Sequence, residues 1–212
     1  MAKQTSPQKS AVCQNLRFLP LTPDAWSYLE RLFGPRGASS GCWCMYWRVP
    51  KTEYEQGKGA GNRESFHRIV DTGDPPGILA LAQDEPIGWC AIGPRQTLVR
   101  LEQSRALRPL DDAAVWSIAC LFVRKDLRRH GVSAALLNAA AEYAFCKGAG
   151  IVEGYPTNPR TEHYPEIALW TGTMKSFQAA GFQEAGKGPT GRSIMRRTSA
   201  NAARQFSCDR YA

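Results

Sequence analysis

From Val123 to Ser133 the chain reads Val-Arg-Lys-Asp-Leu-Arg-Arg-His-Gly-Val-Ser, an apolar run that turns through a basic bend into a stretch rich in alanine and leucine. Arg128, Gly131 and Ser133 at this spacing describe an anion cradle. The first turn of a helix leaves its N–H groups without intrahelical acceptors, and the helix dipole adds positive potential at the same end. Gly131 lets the main chain approach a ligand with no Cβ in the way. A diphosphate has the size and charge for such a site. The pattern lacks both Gly-x4-Gly-Lys-Ser/Thr and three spaced glycines, so neither a P-loop nor a dinucleotide-binding turn is expected. A second chemically dense stretch is Gly41-Cys42-Trp43-Cys44-Met45-Tyr46-Trp47-Arg48. Its aromatic residues fit either a core cluster or an apolar, cation-accepting wall, and a thiol there becomes reactive only if its pKa is depressed. Cys42 and Cys44, one residue apart with no second Cys/His pair, do not form a zinc knuckle, and no metal site is expected.

These residues need a scaffold, and the periodicity supplies one. Asn15–Leu21 alternates as a half-buried strand. Thr22-Pro23-Asp24 then starts a helix with Trp26, Leu29 and Phe33 on one side, stopped by Gly34-Pro35. Asn62–Val70 reads as a second amphipathic helix. Gly77–Ala82 and Ile87–Ile92 form a hairpin across Asp84-Glu85-Pro86. A long apolar strand, Ala113–Val123, feeds the cradle and the helix Ser133–Lys147. Beyond it lie a strand at Ile151–Tyr155, a helix at Leu169–Ala180 closed by Gly181, and two strands within 182–197. The order argues one mixed α/β, or α+β, domain over residues 14–198, with a leader at 1–13 and a basic tail at 199–212.

The cradle in this setting resembles that of the GNAT superfamily of acyl-CoA N-acyltransferases. Its signature is a strand, then Val-x-Pro-x-x-Arg/Gln-x-x-Gly-x-Gly/Ala, then a helix. Val123, Arg128 and Gly131 fall at matching positions, while Lys125 replaces the proline and Ser133 the second small residue. Glu153 and Asn158 extend the resemblance, as does Phe177-Gln178-Ala179-Ala180-Gly181-Phe182, which is similar to the family's Tyr-x-x-x-Gly-Phe.

The resemblance implies a central mixed, mostly antiparallel twisted sheet flanked by helices. It also implies transfer of an acetyl group from acetyl-CoA to a primary amine, most simply of a small molecule, by direct attack. Main-chain groups of Leu121, Phe122 and Val123 would hold the pantetheine arm. Arg129, His130, Gly131, Val132, Ser133 and Ala134 would offer N–H groups to the pyrophosphate, with Arg128 anchoring the turn. Asn158 would touch the coenzyme or simply form the turn before Pro159. Glu153 would be the general base or a rim glutamate in a salt bridge. Where the family often has a tyrosine as general acid, this chain has Phe177, so Tyr155 or Tyr164 takes that part or the thiolate leaves unaided. Cys42, Trp43 and Trp47 would line the acceptor side, and Trp116 and Ser117, on the long strand near the expected acyl group, are further candidates for it.

The net charge of +8 is not spread over the chain. Residues 1–20 hold Lys3, Lys9 and Arg17 with no acid, and residues 187–212 hold six basic residues against Asp209, leaving a neutral body. Basic ends demote a nucleic-acid binder, whose charge would gather on one folded face. The start lacks an apolar signal region and no run reaches membrane-spanning length, so a cytoplasmic setting is expected. There the seven cysteines would stay reduced, Cys90, Cys120 and Cys146 serving as small buried apolar groups without a disulfide framework. A homodimer is the commonest assembly for such a chain. A coenzyme-binding sensor of the same fold stands beside the enzyme as the alternative.

Overall fold

The computed structural model describes residues 15–157, 169–199 and 208–211. The alternating run forms β1, Leu16–Pro20, and a tight turn at Pro23–Ala25 leads into α1, Trp26–Phe33. Gly34 ends α1 at φ +65°, a left-handed conformation that glycine adopts without steric cost. Two helices follow, α2 at Lys51–Gln56 and α3 at Ala60–Asp71. The first is not signalled by the sequence, because its polar composition carries no apolar stripe.

The hairpin is β2, Gly77–Ala82, with β3, Glu85–Pro94. A short α4, Val99–Glu102, precedes β4, Trp116–Val123, and α5, Val132–Cys146. Then come β5, Ile151–Gly154, α6, Met174–Ala179, β6, Gln183–Lys187, and β7, Ser193–Thr198. The expected helix over Leu169–Ala180 is shortened to α6. Gly172 sits at φ +80°, and Thr173 caps the helix by a reciprocal pair of hydrogen bonds with Ser176, so the helix cannot begin earlier.

The strands make one sheet in the order β1-β2-β3-β4-β5-β7-β6, antiparallel throughout except for the parallel pair β4–β5. This is the mixed, mostly antiparallel sheet expected. Side chains on successive strand residues point to opposite faces. Ile78, Ala80, Cys90 and Ile92 therefore pack toward α5, against Leu136, Leu137 and Ala140. Leu79, Leu81, Trp89 and Ala91 pack on the other face with Leu29, Phe33, Phe66 and Val70 of α1 and α3. With both faces covered, every residue of β2 is buried.

One expectation is overturned. Cys146, at the end of α5, is bridged to Cys208, with a Cα–Cα distance of 5.5 Å, within ordinary disulfide range. Their separation of 62 residues gives no local signal to read. The bridge seats the final helical turn, Cys208–Tyr211, against α5. Tyr211 is buried there, its ring 5.7 Å from that of Tyr143 and its hydroxyl donating to the Ala139 carbonyl at 3.2 Å. Among the described residues, no helix is long and apolar enough to cross a membrane.

The bridge closes a loop that includes β5, α6, β6 and β7, so it restricts the unfolded chain substantially. Cys208→Ser is expected to lower the unfolding free energy by about 2–4 kcal/mol. Urea titrations of variant and parent measure this, and adding reductant to the parent must produce the same fall.

Candidate active site

The cradle forms where β4 ends. Arg128 donates from Nε to the Val123 carbonyl at 3.1 Å, folding the turn back on the strand that feeds it. Arg129 at φ +66° and Gly131 at φ +83° turn the chain into α5. Gly131 is the N-cap, and no side chain caps the helix. The first helical bond runs from the Ala135 N–H to the Gly131 carbonyl, and the N–H groups from Arg129 to Ala134 meet no acceptor among the described residues. A Cβ built on Gly131 would meet nothing within 4 Å, so the cradle is open outward. Unpaired N–H groups gathered at a helix start fit a diphosphate. Lys125 forms a 3-10 turn with Asp126 and Leu127, and so holds the bend where a proline would be expected.

Just upstream, β4 and β5 part. They pair only at Trp116–Val152, Ser117–Glu153 and Ile118–Gly154. Ala119 is left over in a bulge of β4 against β3, where Ala91 faces Cys120 and Ile92 faces Ile118. Past the bulge, the Leu121 N–H donates to the Trp170 carbonyl at 2.6 Å, and the Thr157 N–H donates to the Gly172 carbonyl at 2.8 Å. The 170–173 segment is thus bonded to β4 on one side and to the continuation of β5 on the other. Leu121, expected to offer its main chain to a ligand, already spends its N–H on this chain.

On the other side of the parting lies a buried polar network. The Glu153 side chain is 1% exposed, with Arg95 Nη1 at 3.4 Å and Arg196 Nε at 2.8 Å. Tyr155 donates to Glu153 at 2.7 Å, receives Arg95 Nη1 at 2.6 Å, and lies 2.9 Å from the Ser117 hydroxyl. Burial, and then the Glu153 charge, push the Tyr155 phenol well above its ordinary range, so it keeps its proton at neutral pH. Arg196 continues outward to Asp111, whose hydrogen bond is the main reason its guanidinium is held charged more firmly than usual. A cleft of about 270 Å³ opens onto this network, lined by Glu102, Asp111, Asp112 and Glu153 against Arg95 and Arg196. The sequence singles out Glu153, Ser117 and Tyr155 but neither arginine. Arg95 follows an apolar strand and Arg196 lies in a basic run, and no motif marks either one.

The aromatic loop divides. Trp43 is 3% exposed, stacked at 6.0 Å on Trp26 and edge-on to Phe33 at 5.6 Å, which places it in the core. Trp47 is partly exposed and shares an aromatic group with Tyr46 and Trp170, at centroid distances of 4.9 and 5.9 Å. The Arg100 guanidinium already lies over Tyr46, 4.0 Å from its centroid. Trp116 packs toward α5, 6.2 Å from Tyr143, on the opposite face from Ser117. Cys42 is partly buried, its thiol 3.7 Å from the Gly37 carbonyl. Phe177 is fully buried against Gly154, Gly172 and Phe182, an apolar plug with no proton to give. Asn158 and Tyr164 lie outside the described residues.

The acetyltransferase (GNAT) family model matches residues 43–166. No curated protein sequence matches the chain. Among solved structures, aminoglycoside acetyltransferase AAC(6')-Ib in complex with coenzyme A and kanamycin is similar at a TM-score of 0.54 and 17% identity, covering 91% of this chain and 100% of that one. Arylalkylamine N-acetyltransferase 2 from Aedes aegypti gives 0.53 and 15%, covering 87% of this chain and 99% of that one. A GNAT-family acetyltransferase from Streptococcus agalactiae gives 0.51 and 12%, covering 88% and 96% respectively. These likenesses concern the fold.

The Glu153 network has a direct thermodynamic consequence. Glu153→Gln removes the anion shared by two largely buried guanidiniums, and breaking a buried pair in this way costs about 3–5 kcal/mol. Asp111 and Glu102 still face Arg196 and Arg95, so a loss at the lower end is expected in urea unfolding at pH 7.

Proposed function

The chain belongs to the acetyltransferase (GNAT) family, acetyl-CoA-dependent N-acetyltransferases, and from that premise we propose that it acetylates the primary amine of a small, cationic acceptor bound in the Glu153 cleft. The observation that carries this reading is the relation of cradle to cleft. The cradle follows the C-terminal end of β4, and the cleft reaches Glu153 beside Ser117 near that strand's start. An acyl donor held along the strand would point toward the polar network.

Each part of the site has a task in this proposal. Arg129, His130, Gly131, Val132, Ser133 and Ala134 would hold the diphosphate through main-chain N–H groups, with Arg128 fixing the turn. Phe122 and Val123 would border the pantetheine arm, as would Leu121 if Trp170 yields its N–H. Acetyl-CoA supplies the activated thioester when bound. Four carboxylates against two guanidiniums give the cleft a net negative lining that favours an ammonium over a neutral or anionic acceptor. Glu153 would take the proton that the ammonium must lose before it can attack, directly or through solvent in the cleft. Tyr155 would hold Glu153 and Ser117 in place, and its raised pKa suits a hydrogen-bond donor that stays protonated. Trp47, Tyr46 and Trp170 would border the acceptor. Asn158 is retained as a coenzyme contact on the resemblance alone.

A coenzyme-binding sensor of the same fold is the second reading. Phe177 in place of a proton donor and the Trp170 carbonyl on Leu121 both favour it. Turnover separates the two readings, since a sensor binds without forming product.

Calorimetric titration tests the cradle. Acetyl-CoA and coenzyme A are expected to bind at micromolar concentrations, and Gly131→Glu is expected to abolish binding of both. Gly131→Ala shares the backbone strain, about 1 kcal/mol, without the charge, and so controls for folding. Micromolar binding that survives Gly131→Glu would reject the cradle. Asp112→Asn is expected to raise KM for a cationic amine severalfold and leave coenzyme affinity unchanged, as read in steady-state kinetics with a panel of amines. An unchanged KM would move the acceptor away from this cleft.

A further inference from the structure

The loop that joins β3 to β4, residues 95–115, supplies most of one wall of the cleft and is built around a single side chain. Its two ends meet, the Arg95 N–H donating to the Val115 carbonyl at 3.0 Å. Between them lie α4 and a short 3-10 turn at Arg105–Leu107. Arg95 folds back into this loop and is 5% exposed. Its Nη2 donates to the Leu101 carbonyl at 3.2 Å and to the Leu107 carbonyl at 2.7 Å, and its Nε donates to Glu102. Its Nη1 reaches the sheet, donating to the Tyr155 hydroxyl at 2.6 Å and to Glu153 at 3.4 Å.

A guanidinium carries five N–H donors, and these five contacts use them all. Three go to the loop and two to the sheet, so Arg95 has no donor left for a ligand. It can act on an acceptor only through what it holds. The loop passes that hold onward. The Arg100 N–H of α4 donates to the Trp47 carbonyl at 3.0 Å, and the Arg100 side chain lies over Tyr46 and donates to its hydroxyl at 3.2 Å. A continuous line of bonded groups therefore runs from Glu153 through Arg95 and α4 to Trp47. The loop's other ion pair with the sheet, Asp111 to Arg196, is half-exposed at the aspartate, so Arg95 is its buried attachment.

We propose that Arg95 is the positioning residue of the acceptor site, setting the spacing between the Glu153 carboxylate and the loop wall that carries Glu102 and bonds to Trp47. The proposal rests on the reading of the Glu153 cleft as the acceptor site. An amine seated between wall and sheet meets Glu153 at a distance that one guanidinium decides, so Arg95 governs both turnover and the choice among amines. Lysine cannot replace it. An ammonium offers three N–H groups from one point, where arginine offers a planar fork. Arg95→Lys thus keeps the charge beside Glu153 and leaves at least two of the five acceptors unserved. The Leu101 and Leu107 carbonyls belong to buried residues, and buried carbonyls without donors force the loop to rearrange. The cradle lies beyond the far end of β4, so coenzyme binding is spared.

The first test is amide hydrogen exchange on the intact protein without ligand. Arg95→Lys is expected to speed exchange at Leu98, Arg100 and Leu101 by about tenfold or more and to leave β2 unchanged. Tyr155→Phe removes an acceptor on the sheet side alone, and it is expected to speed the same loop amides severalfold, so the test does not hang on one variant. Kinetics with a panel of primary amines of graded length give the second reading. In Arg95→Lys, kcat is expected to fall by about tenfold or more and the preference for one length to flatten, with coenzyme A affinity unchanged by calorimetry. Guanidinium ion at tens of millimolar is expected to restore kcat to Arg95→Ala, while ammonium at equal ionic strength does not. Unchanged exchange at Arg100, a retained length preference, or a loss of coenzyme affinity that tracks the loss of kcat would each overturn the proposal. An inactive parent would overturn the acceptor reading instead, and the exchange result alone would then decide whether Arg95 holds the loop to Glu153.

Discussion

Two neighbouring parallel strands that separate after three paired residues impose a requirement on everything around them. Main-chain N–H and C=O groups exposed by the parting must find partners or remain open to a ligand. The chain meets this need in different ways on the two sides. Trp170 takes the Leu121 N–H, Gly172 takes the Thr157 N–H, and the Arg128 guanidinium occupies the Val123 carbonyl. The turn that follows is left open, the N–H groups from Arg129 to Ala134 meeting no acceptor among the described residues at the start of α5. The bulge at Ala119 belongs to the same device, since it alters the register of β4 on β3 just where β5 leaves.

The parting also dictates the buried charge. A carboxylate at the middle of the three paired positions of β5 is buried at the floor of the cleft, and it persists only because Arg95 and Arg196 converge on it from β3's end and from β7. Tyr155 and Ser117 complete its hydrogen bonds. Such a network is costly to assemble and weak evidence for stability by itself. It does fix the position of Glu153 relative to β4, and position is what the base role proposed for it needs. The second buried charge, Arg48, has no carboxylate partner among the described residues, and it rests on the Pro76 carbonyl and the face of Phe66.

Much of this was legible in the sequence, for identifiable physical reasons. Alternation located β1, apolar runs bounded by turn residues located β2 to β5, and the Arg128-x-x-Gly131-x-Ser133 spacing located the turn into α5, because these signals are local. The misses are non-local or depend on one conformational detail. Gly172 and the Thr173 cap cut short the helix expected from Leu169. α2 lacks an apolar stripe. Cys146 finds Cys208 across 62 residues. Arg95 and Arg196 meet Glu153 only through sheet order, which no spacing encodes. Trp43 and Trp47, alike in sequence and four residues apart, separate because the left-handed backbone at Trp43 and Cys44 turns the loop inward between them.

The Trp170 carbonyl on Leu121 raises a competition that the fold must resolve. A pantetheine arm along β4 would seek the same N–H, and one donor in the plane of the sheet cannot serve both well. Either the arm uses Val123 and its neighbours and leaves Leu121 alone, or the 169–172 segment retreats when the arm arrives. The surroundings weigh on the choice. Arg192 pins the Tyr155 carbonyl and the Thr171 hydroxyl at 2.7 Å each, and a Cβ on Gly172 would crowd Leu121 and Phe177 at 2.9 Å, so the segment is tightly seated at its C-terminal end. Any retreat would therefore hinge near Gly172, which without a Cβ can leave its φ of +80° for conformations closed to its neighbours. Trp170 would then swing with its ring still among Tyr46 and Trp47 or leave that group altogether, since the three rings now lie within 6 Å of one another.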